Sequence, residues 1–183
     1  GKHGILCGNS LHNEAYKTLM GNRRAAVVSV DPPYNVRIDG HATGNGAIHY
    51  REFAMASGEM SDAEYVSFLG TSLRLLARYS ANNSLHYLFI DWRHVGDLIA
   101  VGKQNYDEFL NLCCWVKDNG GMGKFYRSQH ELVLVFRKGR GPTGTTSNSV
   151  SSGGAGQASG NTPAFIRFRG KVKKATYLPY TLR

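Results

Sequence analysis

Asp31-Pro32-Pro33-Tyr34 is the stretch of this chain whose residue types most directly suggest a reaction. Two prolines hold the backbone extended and remove two N–H donors, leaving carbonyls to accept. The Asp31 carboxylate and the Pro32 carbonyl then suit the two hydrogens of an exocyclic amino group, while the Tyr34 ring suits stacking on the base that carries it. An aryl amine is a poor nucleophile because its lone pair is delocalised into the ring. Acceptors that draw both hydrogens out of plane favour a pyramidal nitrogen, whose lone pair can face a methyl donor. The base must leave its helix to reach such a pocket, and stacking on Tyr34 offsets part of that cost. The competing reading of the tetrapeptide is a rigid turn that closes a strand.

The elements around it read as alternating strands and helices. Ile5–Cys7 is a short apolar run closed by Gly8, and Ser10 is placed to cap a helix through Met20 with Gly21 just past its end. Ala25–Val30 is β-branched and almost continuously apolar, as in a strand covered on both faces, and it delivers Asp31 at its carboxyl end. Ser61-Asp62-Ala63-Glu64 is a capping box, and Tyr65, Phe68, Leu69, Leu73 and Leu76 follow at helical spacing. This predicts a helix from about 62 to 79, ended by Asn82-Asn83. Leu85–Ile90 predicts a second buried strand leading to Asp91 and Trp92, then a helix over His94–Val101 stopped by Gly102. Leu112–Val116 and Leu132–Phe136 predict two more strands. The pattern is that of an α/β sheet, in which ligands bind beyond the carboxyl ends of the strands.

Other chemistries are poorly supported. Cys7 and the adjacent Cys113 and Cys114 form neither an even disulfide framework nor a zinc knuckle; they are expected to be buried small hydrophobes in a reducing cytosol. Seven histidines without a ligand-spaced pair give no metal site. No run approaches the roughly 18 apolar residues of a membrane span, so no membrane partner is expected. Trp92, His94, His130 and Glu131 are candidates for binding near strand ends, and His41 and His49 lie in a Gly-rich segment that reads as a flap beside the target. The chain opens on Gly1 rather than Met, as expected of a processed, trimmed or partial product. Of the formal charge of +9, Arg167, Arg169, Lys171, Lys173, Lys174 and Arg183 contribute +6 within the acid-free residues 143–183.

Gly1–Ser10, the Val-Ser-Val-Asp-Pro-Pro-Tyr-Asn run at 28–35, Asp91-Trp92-Arg93-His94, the run from Trp115 to Gly123, and Tyr126–Glu131 together resemble the DNA amino-methyltransferases. More closely, they resemble the beta-type site-specific DNA methylases often fused to a ParB-like nuclease domain. The resemblance covers residues 1–142 in order. It implies a partial Rossmann-like, S-adenosylmethionine-dependent methyltransferase sheet with flanking helices, incomplete at its C-terminal end. It also implies methyl transfer to adenine N6 or cytosine N4 in DNA, a cytoplasmic setting, a place in restriction-modification, and a homodimer or a fusion to a ParB-like domain. Asp rather than Ser at position 31 favours adenine. Carried over residue by residue, Asp31, Pro32, Pro33 and Tyr34 are catalytic, Asn9 and Asp31 hold the cofactor, and Tyr34, Asn35 and His130 meet DNA. Asn9 stands where the family has Asp, an exchange that keeps an acceptor but loses its charge. The family's Phe-x-Gly-x-Gly cofactor loop, whose backbone approach needs glycine, is missing. Little or no transfer is therefore expected from this chain alone. The rivals are a cytosine-N4 enzyme, a non-catalytic DNA-binding remnant, and an amide methyltransferase of protein or RNA.

Residues 143–183 match nothing in that family and open with a Gly/Ser/Thr/Asn run typical of a linker. Permitted codons for Pro142–Gly153, read from the third base of each, give HRNNIQLGQFG. The same offset gives VWEYPG over Ala158–Ala164 and EEGNLLALHPT over Val172–Leu182. All three are family-like and in order. The expectation is a single-base shift near codon 142, a methylase domain over 1–142, and a basic tail without a native fold.

Overall fold

The computed structural model describes residues 4–37, 53–118 and 125–140, and the backbone of 164–169. Its elements in chain order are α1 (Asn13–Met20), β1 (Ala25–Asp31), α2 (Asp62–Arg78), β2 (Ser80–Ile90), α3 (Val95–Asn105), β3 (Glu108–Val116), β4 (His130–Lys138) and β5 (Ala164–Arg169). The strands form one mixed sheet in the order β3-β4-β2-β1-β5. β1 runs parallel to both β2 and β5, while β4 is antiparallel to β2 and β3.

This register gathers several of the candidate residues on one edge. Ile90 lies opposite Leu132, Val116 opposite His130, and Asp31 opposite Arg169. The ends of β1, β2, β3 and β5 and the start of β4 therefore share one rim of the sheet, with neighbouring strands about 4.8 Å apart. Asp31, Asp91, Lys117, His130 and Glu131 are brought to that rim from four different segments.

The core lies on one face of the sheet, where Val28, Val30, Leu88, Ile90, Leu134 and Phe136 meet the apolar stripe of α2 and Leu98 and Val101 of α3. The expected capping box forms in full: the Glu64 N–H donates to Ser61 Oγ, and the Ser61 N–H to Glu64 Oε2. α2 covers the predicted span, and its buried residues include the five that the spacing singled out.

Several local expectations are corrected. Ile5–Cys7 forms no strand; Ile5 is 98% exposed. Ser10 does not cap α1, whose N-cap is His12; the Ser10 carbonyl instead accepts from the Tyr16 hydroxyl at 2.9 Å. Asn82-Asn83 do not close a helix but lie inside β2, where Asn83 adopts φ +64. Gly102 does not stop α3, which continues to Asn105. A Cβ at Gly102 would collide with the Phe136 ring, so glycine is needed there for close helix–sheet packing rather than for termination. All three cysteines are free and exposed, not buried. The expected domain boundary at 142, the flap with His41 and His49, and the Gly120–Gly123 run lie outside the described residues. The backbone of 164–169, within the tail, pairs with β1.

Candidate active site at the strand tips

β1 presents Asp31 at the rim, and the two prolines then carry the chain away from the ladder. The Tyr34 hydroxyl turns back and donates to Asp31 Oδ1 at 2.5 Å. Tyr34 is half-buried and packs against the core. Burial raises its phenol pKa well above the usual value, and the nearby carboxylates of Asp31, Glu131 and Asp91 push the same way. The phenol is therefore neutral and available as a hydrogen-bond donor across the biological pH range.

The turn is held from both sides. The Tyr65 hydroxyl of α2 donates to the Pro33 carbonyl at 3.0 Å. No hydrogen bond occupies the Pro32 carbonyl among the described residues. Asn35 adopts φ +53, and its amide ties the turn to the loop before α2: Oδ1 accepts from Gly58 N at 3.1 Å and Met60 N at 3.2 Å, and Nδ2 donates to the Met60 carbonyl at 2.8 Å. Asn is among the few residues that tolerate this left-handed conformation, and its amide can also make these bonds.

Beside the tetrapeptide lies a cavity of about 510 Å³, lined by Gly8, Asn9, Ser10, Asp31, Pro32 and Pro33 on one side. Tyr16, Val30, Phe53, Ala54, Met55, Phe68, Ser72 and Leu76 complete its wall. The structure thus brings Asn9 and Asp31, the two expected cofactor residues, into one cavity. Asn9 also has a local duty, because its Oδ1 accepts from Leu11 N at 2.9 Å ahead of α1. Tyr34, Asn35 and His130 are not part of the cavity lining. Asp31 both lines the cavity and accepts from the Tyr34 hydroxyl.

Around the rim, Asp91 accepts from Arg93 Nη1 at 2.8 Å and from the His94 N–H at 3.2 Å, which fixes the start of α3. His94 lies 3.1 Å from Asp97 and packs against the Tyr65 ring. Lys117 pairs with Glu131, and Trp92, 56% exposed, lies under the Arg93 guanidinium. His130 is half-buried at the start of β4. Among the described residues, no group of His, Cys, Asp or Glu is arranged to hold a metal, and no helix is long and apolar enough to cross a membrane.

Tyr65, Phe68 and Ser72 contribute to this site although the sequence marks the first two only as core positions of a helix. A signal was present in Ser72: it interrupts the stripe formed with Phe68 and Leu76 at four-residue spacing, where an apolar residue is the rule.

Fold and site together define a Rossmann-like α/β domain with a cavity of ligand size at its strand tips. The chain belongs to the DNA methylase family, whose profile matches residues 25–177 and so extends, against expectation, over most of the tail that shows none of the family's motifs. Among solved structures, it is similar to M1.HpyAVI in complex with SAM, with 16% identity and a TM-score of 0.49 over 77% of this chain and 56% of that one. It is also similar to TTHA0409 of Thermus thermophilus, described as a DNA modification methylase, with 17% identity and a TM-score of 0.49 over 76% and 55%. The chain thus spans just over half the length of these structures. No curated protein matches it.

Proposed function

We propose that this chain is the target-base half of a DNA adenine-N6 methyltransferase that takes its methyl group from S-adenosylmethionine. The observation that carries the reading is the position of Asp31, at a strand tip where it lines a cavity of ligand size and accepts from the Tyr34 hydroxyl. Sites for small ligands are commonly clefts of about 300–1,000 Å³ with few polar groups, which matches this cavity. Asn9 and Asp31 would hold the donor, which when bound supplies an electrophilic methyl.

The chain's own residues do the rest. The Pro32 carbonyl and the Asp31 carboxylate accept the two hydrogens of the extruded amine, and Tyr34 stacks on the ring. Both hydrogens begin held by acceptors; after transfer one remains on the methylated nitrogen and the other leaves as a proton, passing by way of its acceptor to solvent. Asn35 and Tyr65 fix the turn so that these acceptors are in place before the base arrives, which spares their reorganisation during transfer. His130, on the same rim, is assigned to the DNA strand beside the base. Adenine is favoured over cytosine by Asp at position 31.

The tail belongs to the same reading. A one-base shift near codon 142 accounts for the missing glycine loop, and the nucleotide sequence across codons 138–146 and about 150 bases past the end tests it. The functional experiment incubates this chain, and a version with the frame restored, with unmethylated duplex DNA and methyl-labelled S-adenosylmethionine. N6-methyladenine from the restored protein, with little or none from this chain, is the expected result. N4-methylcytosine transfers the assignment to the rival base, and label from neither protein overturns the function.

A further inference from the structure

Ser72 sits in the middle of α2 and is 8% exposed, and its hydroxyl has no hydrogen-bond partner among the described residues. A mid-helix serine usually faces solvent or bonds back to the carbonyl four residues earlier, and Ser72 does neither. It lines the cavity beside Asp31, flanked one turn away on each side by Phe68 and Leu76, which line it too. Leaving a buried hydroxyl unsatisfied is unfavourable, so a residue that contributed only packing would be better replaced by alanine.

We propose that Ser72 is a specificity residue of this cavity, forming a hydrogen bond to the purine ring of the methyl donor. The inference rests on the donor site proposed above. The chemistry selects the purine end. A single neutral hydroxyl between a phenyl ring and a leucine matches a flat heteroaromatic ring with a polar edge. The zwitterionic amino-acid end needs charged or multiple partners, and Asn9, Ser10 and Asp31 of the cavity lining provide for it.

The test titrates the frame-restored protein and its Ser72→Ala variant with S-adenosylhomocysteine, adenosine and homocysteine by calorimetry or ligand-observed NMR. The variant is expected to bind S-adenosylhomocysteine and adenosine about 5–10-fold more weakly, the range for one net hydrogen bond. Homocysteine binding is expected to stay unchanged. The free variant is expected to melt about 2–4 °C higher, because it no longer buries an unsatisfied group. That rise separates lost recognition from lost folding, and Ser72→Thr, which restores a hydroxyl, should regain part of the affinity. Unchanged binding of S-adenosylhomocysteine by Ser72→Ala, or a loss that falls on homocysteine, overturns the role of Ser72 and leaves the donor site standing. Failure of the frame-restored protein with Ser72 in place to bind S-adenosylhomocysteine or adenosine removes the donor site and Ser72's role together.

Discussion

The Tyr34 hydroxyl donates to Asp31 Oδ1 at 2.5 Å, so the residue that would stack on the target base also holds the carboxylate that would grip its amine. A hydrogen bond to a carboxylate is stronger than one between neutral groups. An entering amine must therefore displace the phenol from that oxygen or use the remaining acceptor capacity of Asp31.

Tyrosine variants separate ring from hydroxyl. In the frame-restored enzyme, Tyr34→Phe keeps the stacking surface and is expected to stay within a few-fold of the parent in kcat/KM. Tyr34→Ala loses stacking worth about 1–3 kcal/mol per base, a fall of roughly 5- to 150-fold. Steady-state kinetics on duplex DNA decide it. Equal losses in both variants would assign the effect to the hydroxyl and count against a stacked base.

His86 makes stability depend on pH. It is fully buried, its Nε2 lies 3.2 Å from Ser84 Oγ, and burial followed by the nearby Lys138 lowers its pKa to about 3. The unfolded chain takes up this proton near the ordinary histidine value of about 6.5 while the folded chain refuses it. Stability from His86 is therefore complete above about pH 6.5 and is lost as pH falls toward 3, at up to about 1.4 kcal/mol per pH unit. Urea midpoints measured from pH 7 to pH 4 should fall less steeply for His86→Gln than for the parent. Parallel curves would show that His86 gains its proton without unfolding.

Two glycines of α3 give opposite outcomes for the same substitution. A Cβ at Gly96 meets nothing within 4 Å, so Gly96→Ala is expected to stabilise the helix by about 0.5–1 kcal/mol. At Gly102 the new methyl collides with the fully buried Phe136, and overpacking of about 1–3 kcal/mol or more outweighs the helix gain. Thermal melts should move up for the first variant and down by several degrees for the second. A stable Gly102→Ala protein would contradict the packing of α3 on β4.

Gly102 also shows where sequence reading stops. Its neighbours in the chain suggest a helix end, and the reason it is glycine is the ring of Phe136, far along the chain on another strand. The Ser61–Glu64 capping box was legible because all its partners lie within one turn. Asp31 was legible for a similar reason, a continuous apolar strand followed at once by two prolines. Asn35 carried no such mark: its amide binds Gly58 and Met60, more than 20 residues along the chain. The exposure of Cys113 and Cys114 was equally hidden, because it follows from the position of β3 at the sheet edge rather than from local composition.

The role of Asp31 is tested by comparing the frame-restored protein with its Asp31→Ala variant on unmethylated genomic DNA and identifying the modified nucleosides by mass. N6-methyldeoxyadenosine is expected from the parent and almost none from the variant, with both proteins melting cooperatively. The same N6-methyldeoxyadenosine yield from Asp31→Ala, or a product methylated on cytosine, would contradict the proposed function.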